Sequence, residues 1–438
     1  MTTNKTCPNP GSTPVNWSSA IACFTPQHSL SDSGSAETPI VPAPGMGLYV
    51  HVPFCKTKCP YCDFNTYQGI ESQMEGFLKA VTGELQLWGQ RLGRPTARTV
   101  FFGGGTPSYL PDGYVAAILD AAAKAFSINS GAEITIEANP GDLDANACRG
   151  LLGQGVNRLS IGVQSLDNAL LRLLGRRHTA SGAIEAFQTA REAGFGNVSL
   201  DLMYGLPGQS LSQWEDTIEG LAALCPDHVS LYALTLEEGT PMKVWAEQGK
   251  IPEPDPDLAA DMYAAARGVL ASKGYRHYEI SNWAQPGRES RHNLIYWRNE
   301  PYLGVGPGAH SRLGAYRFWT VLPPRDYARL AAQWRQAPAG RWRAIGEREM
   351  LEARTVDGWE RIGADTACAE TMFLGLRLLD GLSLPRASAV AGHDLAARYH
   401  AEIGELLALG LLRREGDSIR LDESAYLIAN QVFTRFLG

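Results

Sequence analysis

Long apolar runs, a basic surplus and dense cysteine are what this 438-residue chain lacks. No uncharged apolar stretch approaches the roughly 18 residues that read as a membrane-spanning helix, so no span is expected. Charged residues make up only 19%, with a formal net charge of -7, which argues against nucleic acid or an anionic lipid surface as a partner of the whole protein. Eight cysteines are too few for a disulfide scaffold of this length. Residues 1–46 hold one basic side chain, Lys5, and lack both the basic-then-apolar order of a secretory signal and the arginines of a transit peptide. They read as a disordered Ser-, Thr- and Pro-rich extension whose Cys7 and Cys23 carry no signal. A reducing, cytoplasmic setting is expected. What remains is 44% hydrophobic, enough for a large core in two or three domains.

From residue 47 the texture changes. Strands are predicted at 48–52, 99–102, 133–137, 158–163, 198–203 and 228–234, each followed by a helix: 73–92, 113–125, 144–152, 180–193, 211–224 and 257–272. Six strand-then-helix units predict an α/β fold, a parallel sheet curled as a partial (β/α)6 TIM-like barrel over 47–275. In such folds the functional loops lie at the C-terminal strand ends. Residues 276–322 are aromatic- and glycine-rich and form no regular unit. Residues 323–438 read as a mainly helical, winged-helix-like domain with a hairpin around Gly416 and a final helix over 424–436. It has no basic recognition helix, so nucleic-acid binding is not expected of it.

Three of the eight cysteines, Cys55, Cys59 and Cys62, form C-x3-C-x2-C in the loop after the first predicted strand. Three thiolates on one irregular loop suit a shared metal centre. A structural zinc wants a fourth ligand, and no Cys or His follows closely; His51 precedes the loop on the strand. A four-iron cluster held by three thiolates leaves one iron open to an external ligand. Polar or glycine-rich residues then recur at successive strand ends: Gly103-Gly104-Gly105-Thr106-Pro107, Glu137, Gln164 and Asp201, with Arg176 able to clamp a carboxylate. Each alone is an ordinary strand-end residue. Five in order behind a three-cysteine loop point to one small-molecule site.

This arrangement resembles the radical S-adenosylmethionine (radical SAM) superfamily. It looks specifically like the branch holding oxygen-independent coproporphyrinogen III oxidases and their heme chaperone relatives, from residue 48 to the C-terminus. The resemblance implies a [4Fe-4S] cluster on Cys55, Cys59 and Cys62, with SAM on the open iron. It places SAM contacts at Tyr49, Tyr61, Gly104, Gly105, Thr106, Glu137, Gln164, Arg176 and Asp201, Tyr61 stacking on adenine. The oxidases carry a further cysteine two positions after the third; here that residue is Phe64. The chaperones carry a later H-N-x-x-Y-W motif, present here as His292-Asn293-Leu294-Ile295-Tyr296-Trp297. The resemblance thus implies heme binding and transfer to acceptor hemoproteins, membrane-bound respiratory enzymes among them. The alternative is coproporphyrinogen III dehydrogenase activity. His292 is the candidate heme ligand and His310 the second; the bland reading makes His292 a hydrogen-bonded core imidazole. A homodimer is left open.

Overall fold

The computed structural model describes residues 40–41, 44–337 and 340–437. The extension expected over 1–46, with Cys7 and Cys23, lies almost wholly outside them. Met46 within it is already the buried first residue of a strand.

Six strands, β1 (Met46–Val52), β2 (Thr96–Gly104), β3 (Ser127–Ala138), β4 (Arg158–Gln164), β5 (Val198–Tyr204) and β6 (His228–Ala233), pair in parallel in chain order. Long helices connect them, among them Met74–Leu92, Tyr114–Ala125, Ala180–Ala193 and Leu211–Ala223. Their starts are set locally. Thr179 accepts from the backbone of its helix, and Ser210 with Gln213 forms a capping box. Alternation then sorts the strands into two faces. Leu48, Val50, Val100, Phe102, Ile136, Leu159, Ile161, Leu200 and Val229 are buried in one apolar core with the helices.

The other face is polar. Glu137, Ser160, Ser199 and His228 stand opposite one another across β3 to β6, and Gly162, Asp201 and Ser230 form the next row. This face lines the concave side of the sheet.

The 276–322 segment is divided between the two edges of that same sheet. β7 (Arg276–Glu279) and β8 (Asn282–Ala284) add antiparallel beyond β6. β9 (Tyr302–Val305) pairs parallel with β1, and β10 (His310–Leu313), β11 (Tyr316–Thr320) and β12 (Val356–Arg361) extend it antiparallel. The outcome is an open sheet of 12 strands in the order β12-β11-β10-β9-β1-β2-β3-β4-β5-β6-β8-β7. Between β8 and β9 the short helix Arg291–Trp297 packs near the N-terminal strand ends, its first residues bonded to Glu133. Beyond β12 come short helices and a small sheet of β13 (Leu382–Ser383), β14 (Leu412–Glu415) and β15 (Ser418–Leu421). The helix expected near the C-terminus is a 3-10 stretch, Glu423–Ile428, and a short α-helix, Ala429–Thr434.

Candidate functional site

The loop after β1 is built by backbone pairing rather than regular structure. Cys55 N–H donates to Tyr67 O at 2.9 Å and Tyr67 N–H to Pro53 O at 2.7 Å, folding the loop back on itself. The strand-two turn docks beneath it, with Gly105 N–H on Val52 O at 2.8 Å and Thr106 N–H on Phe54 O at 2.8 Å. Gly105 has no room for a side chain. A Cβ there would lie 2.7 Å from Phe54 O and 3.1 Å from Cys55 Sγ. Asn65 anchors the far end of the loop to the carbonyls of Pro307 and Leu322, both at 2.9 Å.

All three cysteines are free thiols; Cys55 is buried and the other two half-buried. Each sulfur has a polar neighbour. Thr106 Oγ1 donates to Cys55 Sγ at 3.5 Å, Thr66 Oγ1 lies 3.9 Å from Cys62 Sγ, and Arg176 Nη1 donates to Cys59 Sγ at 3.6 Å. Burial pushes the Cys55 and Cys62 thiols up, and the neighbouring thiols' charges add to it. Among the described residues no three His, Cys, Asp or Glu side chains close around a single ion. A polynuclear centre spreads its ligands wider, and the sulfur-bound hydroxyl and guanidinium donors suit anionic thiolates.

Behind the loop the strand-end residues converge. Gly104, at φ +106°, donates its N–H to Glu137 Oε2 at 3.1 Å, and a Cβ on it would strike the His51 ring. Burial, reinforced by Asp201, raises the Glu137 carboxyl to about 8. Tyr49 Oη meets His51 Nδ1 at 3.0 Å, and His51 Nε2 meets Asn65 O at 3.0 Å, so this chain ties β1 to the cysteine loop. Arg176 Nη2 donates to Gly162 O at 2.7 Å, while its Nε is buried without a partner. Gln164 sits in the left-handed region at φ 67°, where the β4–β5 register slips. Such backbone strain in a non-glycine residue clusters at ligand sites. Its amide and the Arg176 guanidinium both lie over Gly162. Asp201 accepts from Ser160 and Ser199 hydroxyls at 2.9 and 3.0 Å. Tyr61 packs against a separate apolar cluster with Leu170, Leu174, Met203 and Met242, and burial pushes its hydroxyl well above the usual range, with Cys59 adding to the rise and Arg176 opposing it.

The two histidines differ. His292 is 1% exposed, and both ring nitrogens are engaged, with Thr99 Oγ1 at 2.7 Å and Tyr296 Oη at 2.9 Å. It stacks on Phe101 at 5.0 Å, and burial lowers its pKa to about 3. His310 lies near the cysteine-loop end of β10, stacked on Trp319 at 5.8 Å, with Nδ1 buried and unpartnered. Sequence reading missed the serines around Asp201 and the Asn65 and Thr66 contacts. The serines were legible as polar residues at period two; the Asn65 contacts bridge residues too far apart in sequence to foresee, and Thr66, four residues from Cys62, lies on an irregular loop whose fold no local pattern gives.

A cysteine loop over a glycine-bearing strand end, with a carboxylate on the next strand and an arginine from the loop beyond β4, defines a radical SAM protein. The Radical SAM superfamily matches residues 49–221, and the HemN C-terminal domain matches residues 364–428. The radical SAM domain implies SAM and a [4Fe-4S] cluster. Over 391 residues the chain is 36% identical to the heme chaperone HemW of Bacillus subtilis, covering 89% of this chain and 98% of that one. It is 37% identical over 408 residues to HemW of Mycobacterium tuberculosis, covering 91% and 97%. The fold matches coproporphyrinogen III oxidase (HemN) from Escherichia coli with a TM-score of 0.74 at 22% identity, over 92% of this chain and 91% of that one. The chain belongs to the HemW family. Among the described residues no helix is long and apolar enough to cross a membrane.

Proposed function

We propose that this protein is a heme chaperone: it binds heme and a SAM-ligated [4Fe-4S] cluster and passes heme to acceptor hemoproteins in a reducing, cytoplasmic setting, acceptors at a membrane included. The observation that carries the reading is the near-complete span of the match to relatives named heme chaperone HemW. Phe64, two positions after Cys62 and 46% exposed, supports it, because the oxidase pattern has a further cysteine there.

In this reading Cys55, Cys59 and Cys62 hold the cluster, and the cradle fits it. Gly105 leaves Cys55 Sγ uncrowded, and the donors on the sulfurs offset thiolate charge. When bound, cluster and SAM together supply one-electron chemistry. The chain's own residues orient and shield. The orphaned Arg176 Nε and the Gly104 turn face SAM's carboxylate and ammonium, the Glu137 carboxyl accepts from ligand donors, and Tyr49, Gln164, Thr106 and Asp201 wall the site. Tyr61 covers the adenine side from its apolar cluster. His292 acts toward heme through the helix it anchors, since iron ligation from its place here would break its bond to Thr99 or Tyr296.

The test is anaerobic reconstitution with iron and sulfide, then hemin titration by absorbance and transfer to an apo-hemoprotein. Stoichiometric binding with transfer is expected. Conversion of coproporphyrinogen III to protoporphyrinogen IX, abolished in Cys59→Ala, would sink the reading and make the protein the oxidase.

A further inference from the structure

At the end of the sheet opposite the cysteine loop lies a cavity of about 490 Å³, within the range of small-molecule sites. Its wall is one face of the helix Arg291–Trp297 and its C-cap. Arg291, Leu294, Ile295 and Arg298 line it at the i, i+3, i+4, i+7 spacing of a single stripe. The other walls are Arg98 and Thr99 of β2, the Asn129–Gly131 stretch of β3, and the carboxylate of Glu300. The same helix turns His292 and Tyr296 the other way, toward Tyr49 and Tyr302 on the concave face. It therefore partitions the cavity from the SAM side, and Thr99, which lines the cavity, holds His292 Nδ1.

The charges around this cavity do not balance. Glu300 is shared by Arg98 and Arg386, and Arg291 reaches Glu133 only at 3.8 Å. Arg298 is half-buried, and its guanidinium makes no hydrogen bond or ion pair among the described residues. Burial and the charges of Arg386 and Arg98 act against its own, outweighing Glu300 and Asp380. A half-buried guanidinium crowded by two others, in a cavity with Leu294 and Ile295 in its wall, suits an anionic group carried on an apolar body.

We propose that this cavity binds a ligand bearing carboxylates on an apolar body, which on the functional reading above is heme held through its propionates by Arg298, Arg98 and Arg291. The iron then needs no protein ligand from the cavity wall, so iron-free porphyrin binds as hemin does.

Arg298→Gln tests this cleanly because Arg298 has no bond to lose, so the variant's melting temperature is expected to be no lower than wild type. The probes are hemin, protoporphyrin IX and its dimethyl ester, titrated into the full chain by absorbance and fluorescence. Wild type is expected to bind the two diacids alike and the ester at least about tenfold more weakly, the scale of a charge-assisted bond. Arg298→Gln is expected to bind the diacids about tenfold more weakly and to lose most of the acid–ester distinction. A variant that binds and discriminates like wild type overturns the cavity assignment and leaves the heme reading standing. So does an ester that binds wild type as tightly as the acid. Wild type that binds none of the three overturns the heme reading itself, and the assignment with it.

Discussion

Glu137 offers the sharpest physical test of the SAM side. Its carboxyl is buried and faces Asp201, and these two hold it near 8 rather than the ordinary 4.5, against the opposing pull of the Gly104 N–H it accepts. Between those two values the folded protein keeps a proton that the unfolded chain has released. The folded pKa is raised, so the stabilising contribution is full below about 4.5 and is lost as pH rises toward 8. For one proton the slope is about 1.4 kcal/mol per pH unit, so ligand-free protein should lose about 2–3 kcal/mol from this group between pH 5 and 7. Glu137→Gln removes the titration while keeping the shape. Urea denaturation of both proteins at pH 5, 6, 7 and 8 should show wild type falling relative to the variant as pH rises. A cationic ammonium from SAM brought to Glu137 would reverse the preference, so SAM binding at pH 7 should release close to one proton. Calorimetry in buffers of different ionisation enthalpy reads that number. Parallel pH profiles for wild type and variant, or binding without proton release, would refute the reasoning.

Other outcomes follow from the same geometry. Gly105→Ala should displace the cysteine loop, because the added Cβ meets two carbonyl oxygens below 3.0 Å; iron content after anaerobic reconstitution should fall sharply, and full iron loading would refute the fit. Arg176→Lys keeps the charge but not the fork that spans Cys59 and Gly162, and should weaken SAM binding about tenfold in equilibrium dialysis. His292→Ala removes a buried ring with two side-chain hydrogen bonds and should cost about 2–4 kcal/mol in urea denaturation; a variant as stable as wild type would contradict the core role described for it.

The sequence by itself determined the six parallel strands, because period-two apolar residues between amphipathic helices admit few other arrangements. The helix at 180–193 and the strand starting at Arg158 were placed to the residue, since Thr179 and the β-branched runs mark their ends locally. The three-cysteine spacing and the glycine run were equally plain, as ligand chemistry is written in consecutive residues. Other features were decided only in three dimensions. The 276–322 segment gave no periodicity that could reveal its split between the edges of one sheet, because β9 finds its parallel partner in β1 some 250 residues earlier. No local pattern foretells a pairing at that distance. The pattern over 424–436 reads as one continuous helix, whereas the structure divides it into a 3-10 stretch ending at Ile428 and a short α-helix from Ala429. His292 stood in a motif that marks it as important, yet only tertiary structure filled both its ring nitrogens with Thr99 and Tyr296 and aimed Arg298 from the same helix into a cavity behind it. Which way a side chain faces, and whether its bonds are already taken, is settled by packing across the chain, and that is why the site's roster was legible in the sequence while its geometry was not.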